Sequence, residues 1–266
     1  MRRRFFVDRF ERDSASLRDE AAEHLGRVLR AEPGQLYELS DGDRVWLARI
    51  ERVALSKRGP NQIDFALVEP IDSVEPTLRV TLLISIVKFD RFEWCLEKAT
   101  EQGAEEIFPL AAARTDRPLL AAAGKRHERW KRILLESAQQ SRRLRPPILH
   151  AALSPDKAFA QSTSALKILL SERREALSLR EILGKDSPLV AQGLLPVRPA
   201  IAAEANSVAR STVSLAVGPE GGWTDDEIAS ARTRGFLEAS LGENILRTET
   251  AVIASLAVLQ FALRTG

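Results

Sequence analysis

Three short apolar runs constrain this chain most: residues 80–87 (VTLLISIV), 166–170 (LKILL) and 213–217 (VSLAV). The first is apolar almost throughout, as a strand buried on both faces of a parallel sheet reads. Helical patterns separate the runs. Residues 90–102 form an amphipathic stretch closed by Gly103, and residues 128–143 carry Trp130, Ile133, Leu134 and Ala138 at helical spacing. Residues 106–110 and 237–241 supply two more strands, and 251–263 an apolar closing helix. Strands alternating with helices predict an α/β domain with a mostly parallel sheet.

The first seventy residues read differently. Segments 36–39 and 44–50 flank Ser40-Asp41-Gly42-Asp43, a hairpin turn signal, and a third run follows at 62–68. Such spacing predicts a small β-barrel with one short helix at 20–30. Residues 70–76 read as a linker, which places a boundary between 1–72 and 73–266. The Pro- and Ala-rich stretch 184–211 has no period and reads as an extended connection.

Composition narrows the chemistry. A single cysteine, Cys95, excludes a disulfide framework and a cysteine-based metal site, and its amphipathic surroundings make it a small core residue. His24, His127 and His150 are far apart and form no HxxxH pattern, so no metal is expected. The basic start, MRRRFFVDRF, does not read as a secretory signal, and 251–263 is too short to span a bilayer, so a cytoplasmic protein without membrane association is expected. Net charge is only +2, but arginines cluster at 2–4, 126–132 and 142–145. Clustered arginine suits either a phosphate-binding face or a solvated helix.

Ligands of open α/β sheets bind beyond the carboxyl ends of strands. Three such ends are unusual here. Gly218-Pro219-Glu220-Gly221-Gly222 follows the fourth strand, and Thr224-Asp225-Asp226-Glu227 then matches a capping box. Glycines let backbone N–H groups approach a ligand without a Cβ in the way. The stretch 241–251, LGENILRTETA, places apolar Ile245 and Leu246 in a surface loop, and bunches Arg247, Thr248, Glu249 and Thr250 before an apolar helix. Thr248 or Thr250 suits a helix cap. Leu170-Ser171-Glu172 ends the third strand. No GxGxxG, GxxxxGK[ST] or GxSxG occurs, which argues against a Rossmann site, a P-loop and a hydrolase elbow. The loops suit a flat heteroaromatic group such as adenine, held by main-chain hydrogen bonds.

GPEGGWTDDEI (218–228) and LGENILRTETA (241–251) together resemble the RsmE family, SPOUT-superfamily methyltransferases of small-subunit ribosomal RNA. The likeness extends to 88–110 (KFDRFEWCLEKATEQGAEEIFPL), RW at 129–130, 136–149 (ESAQQSRRLRPPIL) and 24–30 (HLGRVLR), in order along nearly the whole chain. The resemblance implies a C-terminal α/β domain tied in a trefoil knot, a fold outside the usual topology rules, and an N-terminal PUA-like RNA-binding barrel. It implies S-adenosylmethionine bent in the knot and a homodimer packed through that region. The cofactor residues carried over are Leu170, Gly218, Pro219, Glu220, Gly221, Gly222, Leu241, Gly242, Ile245, Leu246, Thr248 and Ala251.

The implied reaction is methylation of N3 of one uridine near the 3′ end of small-subunit rRNA, within the assembled subunit. Uracil N3–H is a weak acid and a poor nucleophile until deprotonated, so the enzyme must align N3, remove a proton and stabilise an anion. Arg247 is the candidate for a phosphate or the developing negative oxygen. Glu249 either orients Arg247 or acts as base, Glu220 is the second carboxylate, and a structural Arg247–Glu249 ion pair is the plainer alternative. Arg2, Arg3, Arg4, Arg30, Arg114, Arg142 and Arg143 are the candidate RNA phosphate contacts. A tRNA methyltransferase of the same superfamily and a non-catalytic RNA-binding dimer remain the alternatives.

Overall fold

The computed structural model describes residues 3–56, 59–73, 75–184 and 211–263. Arg2 and nearly all of the 184–211 connection lie outside them. The chain divides into two units, Met1–Glu75 with Glu136–Pro146, and Pro76–Leu135 with Pro147–Gly266.

The first unit holds β1 (Arg4–Phe6), β2 (Ser14–Arg18), α1 (Asp19–Glu23), β3 (Leu36–Ser40), β4 (Val45–Ala54) and β5 (Gln62–Ile71). They form one five-stranded sheet in the order β1-β3-β4-β5-β2, with β1 parallel to β3 and the other pairs antiparallel. Phe5, Leu17, Leu25, Leu39, Ile50, Ile63 and Phe65 form its core. The helix expected at 20–30 is shorter: α1 passes into a π-helical turn at His24–Val28, and Arg30 ends it at φ +53°. Strand β5 runs through Pro70 to Ile71, so the expected linker overlaps the last two residues of a strand. Segment 136–146 is fastened here. Arg142 lies 3.4 Å from the buried Glu38, and Ser40 donates to the Leu144 carbonyl at 2.6 Å.

The second unit holds β6 (Leu78–Ser85), α2 (Phe89–Glu101), β7 (Ala104–Leu110), α3 (Arg117–Gln140), β8 (Ile148–Leu149), α4 (Pro155–Gln161), β9 (Leu166–Leu170), β10 (Leu177–Ser178), α5 (Leu179–Leu183), β11 (Ser211–Val217), α6 (Asp225–Thr233), β12 (Leu237–Ser240) and α7 (Thr248–Leu263); the C-terminal part of α3 belongs to the first unit. Its seven strands run in the order β10-β12-β9-β11-β6-β7-β8, every pair parallel. Alternate residues of the apolar strands feed two cores. Leu82, Ile84, Val213 and Leu215 pack with Phe92, Trp130, Val252 and Leu256 of α2, α3 and α7 on one face. Leu83 and Ala216 pack with Phe159, Trp223, Ile228 and Phe236 around α4 and α6 on the other. Two-sided burial therefore explains the continuous apolar reading of these strands. Helix α3 starts eleven residues before the expected 128, because Gly124 and the charged Lys125, Arg126 and Glu128 interrupt the apolar pattern.

Candidate active site

Strands β9, β11 and β12 end side by side, and their following loops enclose a cavity of about 560 Å³. That lies within the usual range for small-molecule sites, roughly 300–1,000 Å³. Leu170 comes from the end of β9; Gly218, Pro219, Glu220 and Gly222 from the loop after β11; Leu241, Gly242, Ile245, Leu246 and Arg247 from the loop after β12; Thr248 and Ala251 from the start of α7. Gly221 is not part of the lining. Arg114, from the loop after β7, is.

The glycine loop is held from several sides. Gly222 N–H closes a turn onto the Pro219 carbonyl at 2.8 Å, with φ +71°. Thr224 and Glu227 form the expected capping box, and a Glu227 carboxylate oxygen also accepts from Ala113 N–H at 2.8 Å. Arg114 donates to the Gly221 carbonyl at 2.8 Å. The buried Trp223 donates its indole N–H to the Leu170 carbonyl at 2.9 Å, joining the loop to β9. A Cβ on Gly218 would stand 3.1 Å from that indole, so any side chain there would press the ring aside by a few tenths of an ångström. Trp223 was not foreseen as a site residue, although it sits inside the motif; a tryptophan in a glycine-rich loop was the available signal.

The loop after β12 is looser. Gly242 has φ +139°, Ile245 is 78% exposed and Leu246 is 37% exposed. Helix α7 begins at Thr248, whose hydroxyl donates to the Gly218 carbonyl at 3.3 Å instead of capping the helix, and Thr250 lies inside the helix. Ala251 N–H bonds the Arg247 carbonyl, so Arg247 occupies the cap position.

The suggested Arg247–Glu249 pair does not form. Residues two apart at a helix start do not face each other. Arg247 is exposed on the cavity lining with no ion pair among the described residues. Glu249 turns to Arg91 of α2, with Nε to Oε1 at 3.9 Å, while Arg91 Nη1 stands 3.5 Å from Glu220 Oε1. The other Glu249 oxygen is buried without a hydrogen bond among the described residues. One turn along α2, the buried Cys95 thiol is pushed up to about 12 by desolvation, then by the Glu249 and Glu220 charges. Arg91 escaped the sequence reading because its partners lie 129 and more residues away.

The candidate RNA contacts separate. Arg114 belongs to the cavity, whereas Arg3, Arg4, Arg30, Arg142 and Arg143 belong to the first unit. Arg3 and Arg30 are exposed. Arg4 is a correction: it is buried and donates Nε and Nη2 to Glu38 at 3.1 and 2.9 Å. Its β1 position beside Glu38 across a parallel pair turns the side chain into the unit, where the carboxylate compensates its charge.

Comparison with known proteins gives a consistent result. A family model described as an RNA methyltransferase domain matches residues 74–260. The ribosomal RNA small subunit methyltransferase E of Synechocystis is 34% identical over 244 residues, 91% of this chain and 71% of that protein. That of Bacillus subtilis is 28% identical over 254 residues, 94% and 91% of the two chains. The crystal structure of the Neisseria gonorrhoeae ribosomal RNA small subunit methyltransferase E bound to S-adenosyl methionine superposes with TM-score 0.78 at 27% identity, covering 99% of this chain and 98% of that one. A putative methyltransferase from Legionella pneumophila, in complex with the cofactor SAM, gives 0.77 at 29% identity over the full length of both.

Proposed function

The chain belongs to the ribosomal RNA small subunit methyltransferase E family, and on that premise we propose that it transfers a methyl group from S-adenosylmethionine to N3 of a single uridine in small-subunit rRNA. The observation that carries this reading is the cavity at the joined ends of β9, β11 and β12, walled by Gly218, Pro219, Glu220 and Gly222 on one side and by Leu241, Ile245 and Leu246 on the other. A nucleoside fits such a lining: apolar side chains for the faces of adenine, and loop N–H and carbonyl groups for its edge. When bound, S-adenosylmethionine supplies an electrophilic methyl on a sulfonium. Leu170, Gly218, Pro219, Gly222, Leu241, Gly242, Ile245, Leu246, Thr248 and Ala251 would hold it.

Arg247, exposed on this lining and without an ion pair among the described residues, holds a substrate phosphate or the developing uracil oxyanion. Arg114 at the cavity, with Arg3, Arg30, Arg142 and Arg143 of the first unit, supplies phosphate contacts. Residues 1–72, completed by 136–146, act as a PUA-like RNA-binding domain, and the rest of 73–266 as the knotted methyltransferase domain. The protein works in the cytoplasm as a homodimer packed through the knot, on the assembled small subunit, where folded RNA shape restricts the target. Among the described residues no helix is long and apolar enough to cross a membrane.

The test is methyl transfer from labelled S-adenosylmethionine to small subunits from cells lacking this gene, with the product nucleoside identified by mass spectrometry. N3-methyluridine at one rRNA site is the expected result. Tight cofactor binding without transfer would move the substrate to another RNA, tRNA first. Absence of binding would overturn the enzyme reading.

A further inference from the structure

Three strand-end elements that share no local sequence meet at one guanidinium. Arg91 stands in the first turn of α2, directly after β6, and is about one third exposed. Its Nη1 reaches Glu220 of the glycine loop and its Nε faces Glu249 in the first turn of α7. The two carboxylates differ. Glu220 lines the cavity and is 44% exposed in its side chain, whereas Glu249 is absent from the lining and 16% exposed. A carboxylate that accepts a proton from substrate must be reachable by it, and Glu220 is. A carboxylate that anchors a neighbouring cation needs no such access, and Glu249 has little.

We propose that Arg91 is a positioning residue: anchored by Glu249, it holds the Glu220 carboxylate at the cavity wall as acceptor of the substrate's N–H proton. The proposal rests on the methyl-transfer reading. In the step, the nitrogen–carbon bond forms as the carbon–sulfur bond breaks with its pair passing to sulfur. The nitrogen's proton ends on a Glu220 carboxylate oxygen, and a neutral thioether departs. Arg91 itself is not part of the cavity lining. Its contribution is geometric, since a carboxylate displaced by about 1 Å loses on the order of 100-fold in rate.

The experiment uses the full-length chain with R91Q, R91K, E220Q and E249Q, and the double variant R91Q/E220Q. S-adenosylmethionine affinity is read by calorimetry, turnover on small subunits at saturating cofactor, and unfolding by denaturant in the absence of cofactor. R91Q is expected to lower kcat about 10- to 100-fold while changing cofactor affinity and KM less than about threefold. R91K is expected to recover part of the loss, because an ammonium still draws one carboxylate. R91Q/E220Q is expected to be no slower than E220Q, since the two act through one group. Independent, multiplying losses would overturn the proposal, as would an R91Q protein that loses cofactor affinity or stability in step with its rate. A lesser effect of E220Q than of E249Q would transfer the acceptor role to Glu249 and overturn it equally. Wild-type protein that binds cofactor but leaves small subunits unmethylated would instead overturn the substrate reading, and cofactor affinity across the variants separates that case.

Discussion

The two walls of the cavity are built to opposite standards. The wall formed by 218–224 is fixed by a turn, a capping box, Arg114 on the Gly221 carbonyl, and the Trp223 indole on Leu170. The wall formed by 241–247 leaves Ile245 largely in solvent and Arg247 without an ion pair among the described residues. A fixed wall presents backbone donors and acceptors at no ordering cost when a ligand arrives; a loose one can close over it. The difference teaches that neighbouring loops of one sheet can divide recognition between them, one setting position and the other cover.

Substitutions can break or sharpen that contrast. The largest effect is expected from Gly222→Val. A β-branched residue at φ +71°, with its Cβ 3.3 Å from Glu172 Oε1, distorts the fixed wall, and calorimetry is expected to show S-adenosylmethionine affinity about 100-fold weaker, roughly 3 kcal/mol. Arg247→Ala, on the loose wall, is expected to reduce turnover about 30-fold with little change in cofactor affinity or melting temperature. If melting falls instead, Arg247 is structural and the contrast weakens. Trp223→Phe strands the Leu170 carbonyl, at a cost of about 1–3 kcal/mol, seen as a melting-temperature drop of about 5 °C. Ile245→Ala is expected to weaken cofactor binding about threefold to fivefold, about 0.8 kcal/mol, with stability unchanged within about 0.5 kcal/mol. Equal destabilisation by Trp223→Phe and Ile245→Ala would erase the distinction between the walls.

Cys95, buried on α2, gives the smallest effect at neutral pH. Burial raises its folded pKa above the ordinary 9.0 to about 12. The unfolded chain therefore loses this proton first, and the thiol's contribution to stability, intact below pH 9, declines as pH climbs towards 12. Cys95→Ala is expected to flatten that part of a stability–pH curve measured by urea unfolding.

The legible parts of the molecule were those written locally. Two-sided burial of β6, β9 and β11 shows in each run by itself, and glycine density with Thr224 and Glu227 marks the loop and its helix within ten residues. Strands β1 and β2 escaped because three residues, or a polar sequence such as Ser14–Arg18, carry no periodic signal. The cavity lining was largely foreseen from the loops, whereas Arg91 was not, because an ion pair across 129 residues exists only once the sheet has placed both ends. Arg4 failed for the related reason that sequence shows a charge and not its counter-ion.

One consequence concerns the order in which the chain leaves the ribosome. Domains generally fold as they emerge, amino-terminal first. Here Glu38 faces Arg142, and Ser40 bonds the Leu144 carbonyl, across roughly a hundred residues of intervening chain. The amino-terminal unit is therefore completed only when more than half of the protein has been synthesised, after β6, α2, β7 and all of α3 have already appeared. It is not a detachable cassette: a graft that carried residues 1–75 alone would leave behind the strap that finishes it.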